Sequence, residues 1–144
     1  MNLQNFLPYQ LSVLSNKVSK GISKFYQEQH GITIPEWRVM SILSTHSNQT
    51  AKELSIFSQM DKVKISRTMK VLVEKKLILE KVCNIDARAR RYHLTDKGVQ
   101  LITEVKPKAI AFETELISCL TKDEVNSLKY CIANLDKQVD QLMK

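Results

Sequence analysis

The sequence predicts a mainly α-helical fold that carries one small β-hairpin. Three observations predict it. Apolar residues recur every three or four positions along most of the chain. Only three Gly and three Pro punctuate 144 residues, so turn-rich stretches are few. Between residues 77 and 94 the period shortens toward two on either side of a polar, arginine-rich turn. At 43% hydrophobic and 26% charged, the chain has the apolar content for one packed domain.

A first helix is expected over residues 8–28. Pro8 suits its first turn, and Leu7, Leu11, Leu14, Val18, Ile22 and Phe25 make one stripe. Gly21 weakens it by about 1 kcal/mol relative to Ala, and His30-Gly31 stops it. Thr33 and Pro35 start a second helix that ends near His46, with Trp37, Met40 and Leu43 on its buried side. Thr50 and Glu53 have capping-box spacing at the head of a short third helix that breaks near Ser58. Asp61 caps a fourth helix over residues 62–75. Its inner side holds Ile65, Met69 and Leu72; Val63, Ser66, Arg67, Lys70 and Glu74 lie opposite.

Residues 77–83 and 91–94 read as short strands around a turn at 84–90. Thr95 caps a further helix with Val99, Ile102 and Val105 on one side, which Pro107 should kink or break before it resumes through Ile110, Phe112 and Leu116. Thr121 and Glu124 form a second capping box. Val125, Leu128, Ile132, Leu135, Val139 and Leu142 then follow at spacings of 3, 4, 3, 4 and 3, a heptad seam.

Charge is concentrated in one place. Residues 62–91 hold ten basic and three acidic residues, so this segment alone carries the net +7. A solvated helix face usually mixes its signs; a one-sided block is the footprint of a polyanion site. Helix, short helix, turn, helix and hairpin, in that order, make a winged helix-turn-helix. The fourth helix would enter a DNA major groove, and the hairpin tip would carry Arg88 toward the minor groove. On these grounds Lys62, Val63, Lys64, Ser66 and Arg67 are candidates for base edges or flanking phosphates, with Lys70 as a phosphate anchor. Thr50 and Ala51 open a helix whose amides can face phosphate, and Arg90 adds charge to the wing.

The stretches IPEWRVMSIL, TAKELSIF, KISRTMKVLVEKKLI and DARARRYHLTDKG, in that order, resemble the MarR family of bacterial transcription regulators. The resemblance covers residues 33–103. It implies a homodimer on pseudo-palindromic double-stranded DNA, usually a repressor released by a small-molecule effector or by oxidation. It also implies that Asp86 orients a wing arginine while Arg88 reaches the minor groove. One departure stands out: Lys76 occupies a position where the family usually has Gly, whose freedom relieves a left-handed helix end.

Residues 1–32 and 99–144 are expected to be dimerisation arms around a DNA-binding core at 33–98, since the first stripe and the last heptad both need a partner. A helical protein-interaction module or antagonist of a related regulator, with only loose DNA binding, is the alternative, and architectural DNA packing a third. Catalysis has no support: neither an activated nucleophile, a Gly-rich phosphate loop nor a metal-ligand set is present. His30, His46 and His93 lack metal spacing, so neither metal nor cofactor is expected. Cys83, Cys119 and Cys131 form no C-x-x-C and are expected to be small buried residues in a reducing cytoplasm. No leader or membrane span is read from the sequence.

Overall fold

A computed structural model describes residues 1–82 and 90–144. The predicted wing-tip residues Asp86 and Arg88, and Cys83, lie outside the described residues. The chain forms two compact units, Met1–Ala109 and Ile110–Lys144.

In the first unit, helix α1 (Leu7–His30) has Pro8 in its opening turn and runs through Gly21 without interruption. It stops at Gly31, whose φ of 64° is left-handed and whose amide donates to Gln27 O. The rear half of its stripe packs: Ile22 and Phe25 lie against the core, and Tyr26 is buried with its ring stacked 4.9 Å from that of Trp37. Burial pushes the Tyr26 phenol up to about 12. The front half is bare, with Leu7, Leu11 and Leu14 each about half exposed.

Helix α2 (Ile34–Thr45) opens on a full capping box between Thr33 and Glu36. Glu36 also does longer-range work. It is buried; its Oε2 accepts the Thr33 amide at 2.6 Å and its Oε1 accepts Lys75 Nζ at 2.7 Å. Lys75 Nζ donates as well to Gly31 O at 2.8 Å. Burial alone would raise the Glu36 carboxyl, but these bonds outweigh it and hold it below the usual range.

Helices α3 (Ala51–Ser58) and α4 (Lys62–Glu74) follow, joined through Gln59 in a left-handed conformation. Asp61 caps α4 by accepting the Lys64 amide at 2.8 Å. Ile65, Met69 and Leu72 are buried as expected, against Val39, Met40 and Leu43 of α2 and Leu54 of α3 in a single apolar cluster. Thr68 is buried too, with its hydroxyl bonded back to Lys64 O.

The sheet has three antiparallel strands, not the two read from the sequence: β1 (Gln49–Thr50), β2 (Ile78–Val82) and β3 (Arg90–Leu94), in the order β1-β3-β2. The hairpin register runs from Ile78↔Leu94 to Val82↔Arg90, and Thr50 pairs with Arg91. The expected Thr50–Glu53 box is half made. The Thr50 hydroxyl accepts the Glu53 amide, but the Glu53 carboxylate lies 3.7 Å from Arg91 Nη1, drawn to a cation of the adjacent strand.

Lys76 adopts the left-handed conformation anticipated from the missing glycine, with φ 60°. Its amide donates to Val73 O and the Leu77 amide to Leu72 O, the paired bonds of a Schellman end. Lys76→Gly should therefore raise unfolding free energy by about 0.5–1 kcal/mol, the left-handed relief less the entropy glycine adds to the unfolded chain. Urea unfolding of both proteins measures it.

Helix α5 (Asp96–Ile117) contains Pro107 without breaking. Of the expected kink or break, the break does not occur: Pro107 removes one N–H donor, and the helix runs on across it. In the second unit, α6 (Lys122–Leu142) opens on the predicted Thr121–Glu124 capping box, and the Thr121 amide holds the Glu124 carboxyl below its usual range. None of its residues is buried, and Leu128, Ile132, Leu135 and Val139 stand open. Cys119 and Cys131 are exposed rather than buried, because the unit 110–144 on its own provides little interior to hold them. Among the described residues no helix is long and apolar enough to cross a membrane.

Candidate nucleic-acid interface

Burial of Ile65, Thr68, Met69 and Leu72 fixes which side of α4 faces outward. At about 100° per residue, Lys62, Ser66, Lys70, Val63 and Arg67 then fall within an arc of roughly 140°, with Glu74 inside the same arc and Lys64 about 60° outside it. All seven are exposed. Lys62, Ser66 and Lys70 stand one turn apart and form a ridge with a depression on each side. One, of about 440 Å³, is shared with Val63 and Arg67. The other, of about 530 Å³, lies between α4, the head of α3 and the hairpin. Its walls include Ile65, Met69 and Val73, and its rim carries Lys52, Glu80 and Tyr92.

Seven of the nine described cations of the basic segment fall into two groups, and Lys76 and Lys81 stand exposed outside both. Lys75 is consumed by Glu36. Arg90 Nη1 lies 2.7 Å from Glu80 Oε1, and Arg91 Nη1 donates to Asn48 O at 3.0 Å while facing Glu53. These three build the fold. Lys62, Lys64, Arg67 and Lys70 make no ion pair with any described residue, so α4 exposes four free cations against one acid, Glu74. A net positive field on a raised helical ridge suits a polyanion with a groove.

The other predicted residues fall around this ridge. Ala51 lines the larger cavity, and Thr50 caps α3 beside it. Arg90 keeps its side chain 65% exposed, so its pairing with Glu80 leaves it reachable. Sequence reasoning missed Lys52, which adds a cation to the cavity rim, and Tyr92. Burial and the neighbouring Glu80 push the Tyr92 phenol up, leaving it a neutral group at the cavity wall. It also missed Arg91 as a strut of β1. The signal for that strand was Asn48, a residue type that tolerates the left-handed φ of 65° found there.

Comparison with known proteins agrees with this architecture. The family model described as transcriptional regulator SarA/Rot matches residues 21–105. A MarR/EmrR family transcriptional regulator from Acinetobacter sp. ADP1 superposes with a TM-score of 0.89 at 31% identity, over 98% of this chain and 99% of that one. A MarR family regulator from Silicibacter pomeroyi gives 0.82 at 26% identity, over 94% and 90%. A mutant of S. aureus MepR, solved bound to an oligodeoxyribonucleotide, shares the fold with a TM-score of 0.62 at 24% identity, over 95% and 98%. With its SarA/Rot-matching core and its likeness to these proteins, the chain belongs to the MarR family of winged helix-turn-helix transcriptional regulators, which act by binding DNA.

Proposed function

We propose that the chain is a homodimeric repressor of a pseudo-palindromic operator, with α4 of each protomer in a major groove. The observation that carries this is the unpaired cationic face of Lys62, Lys64, Arg67 and Lys70. Val63, Ser66 and Arg67 would meet base edges, while Lys62 and Lys70 would meet phosphates across the ridge. Thr50 and Ala51, with Lys52, would receive the backbone at the head of α3. Arg90, and Arg88 oriented by Asp86, would serve the flanking minor groove. Residues 33–98 act as the DNA-binding core.

Residues 1–32 and 99–144 act as dimerisation arms. Their support is the exposed apolar surface of α1 and, separately, of α6. Release by a small-molecule effector follows from kinship alone.

Selection from a random duplex pool tests the function. The expected product is a pseudo-palindrome whose half-sites are centred about 10–10.5 base pairs apart, bound by a dimer. No enrichment over bulk DNA, or a 16.6 kDa species in sedimentation, would contradict it and favour the protein-interaction module.

A further inference from the structure

We propose, on the basis of the DNA-binding function above, that Val63 reads the methyl group of a thymine in each half-site. Val63 is 64% exposed, the most exposed apolar side chain of α4. It occupies the second position of the helix, where a recognition helix comes nearest to base edges. A β-branched residue there contributes nothing to helix propensity and nothing to this chain's core.

Its surroundings identify what covers it. The adjoining side chains are Lys62, Lys64, Ser66 and Arg67, and it shares one depression with Lys62, Ser66, Arg67 and Lys70. An apolar protein surface laid over Val63 would desolvate these cations without pairing them, which is costly. A DNA major groove is anionic at its edges and offers a single apolar feature on its floor, the C5-methyl of thymine. A valine ringed by cations matches that pattern.

The helix also fixes the register. Val63 and Arg67 are four residues apart, about 6 Å along the helix axis. Base pairs stack at about 3.4 Å, so the thymine read by Val63 lies within about two base pairs of the position contacted by Arg67.

The test uses the preferred duplex from the random-pool selection. Each thymine is replaced singly by deoxyuridine, which removes only the methyl, and binding is titrated with wild type and V63A. Because Val63 is exposed, V63A keeps the fold. Wild type should lose about fourfold in affinity at one position per half-site, the equivalent of one buried methyl. V63A should bind the thymine and deoxyuridine duplexes equally at that position. Equal binding by wild type at every position overturns the proposal while sequence-specific binding stands, as does a V63A protein that keeps the full penalty. A selection that returns no preferred sequence overturns the DNA-binding function and this proposal together.

Discussion

Gly98→Ala should lower the unfolding free energy by about 3 kcal/mol, at the upper end of overpacking effects. A Cβ at position 98 would be driven into the backbone oxygen of Leu77, and would also lie 3.2 Å from Leu94 Cδ2. The obstacle is main chain, so no rotamer change relieves it. That carbonyl is itself held, since it accepts the Thr95 amide at 3.0 Å. The Thr95 hydroxyl caps the Gly98 amide at 3.0 Å and donates to Lys76 O at 2.7 Å. The base of the hairpin and the head of α5 are thus one interlocked joint. The glycine of the LTDKG stretch is required by close approach, not by an unusual φ. Urea unfolding decides the matter: a loss below about 1 kcal/mol would mean that the joint can open at little cost.

Lys75→Met should cost about 2–3 kcal/mol at neutral pH, because it strands a buried carboxylate. The figure sits at or below the low end for buried pairs because the Lys75 side chain is 35% exposed while that of Glu36 is only 4% exposed. The pH dependence gives a second readout. In wild type the folded-state carboxyl of Glu36 is held below the usual range. Its contribution is therefore complete above the unfolded carboxylate value and is lost as pH falls through the folded value. Without Lys75, burial dominates and the carboxyl titrates higher. The deficit of the variant should then be largest near neutrality and should shrink as acid protonates Glu36 in both proteins. A deficit independent of pH would mean that Lys75 acts through packing alone.

Much of this architecture was legible because the deciding interactions are local. The helix caps at Thr33, Asp61, Thr95 and Thr121 bond across three residues, and the stripe Ile65, Met69, Leu72 repeats within one helix. The left-handed turn at Lys76 was legible from the glycine that the family resemblance implies there. What escaped joins distant segments. Glu36 and Lys75 are 39 residues apart, and Arg91 meets Asn48 across 43. Strand β1 is two residues long, too short to show alternation. The basic segment was recognised as a block, but its division into fold-building and free cations depends on which acids lie nearby in space. The exposure of Cys119 and Cys131 was misjudged for a related reason: the segment around them is apolar in pattern, yet the unit 110–144 buries none of its own residues.

The most direct test of the central claim is the salt dependence of operator binding when Lys62, Lys64, Arg67 and Lys70 are all changed to Ala. A control replaces the exposed Lys106, Lys122, Lys129 and Lys137, which changes net charge equally, and both variants are titrated where they sediment as the dimer. With Lys62 and Lys70 on phosphate, the slope of log affinity against log salt should shrink by at least about 1.8 per protomer, at about 0.9 for each phosphate no longer neutralised. The control should keep the wild-type slope. Equal slopes in the two variants would show that bulk charge, and not the face of α4, holds the DNA.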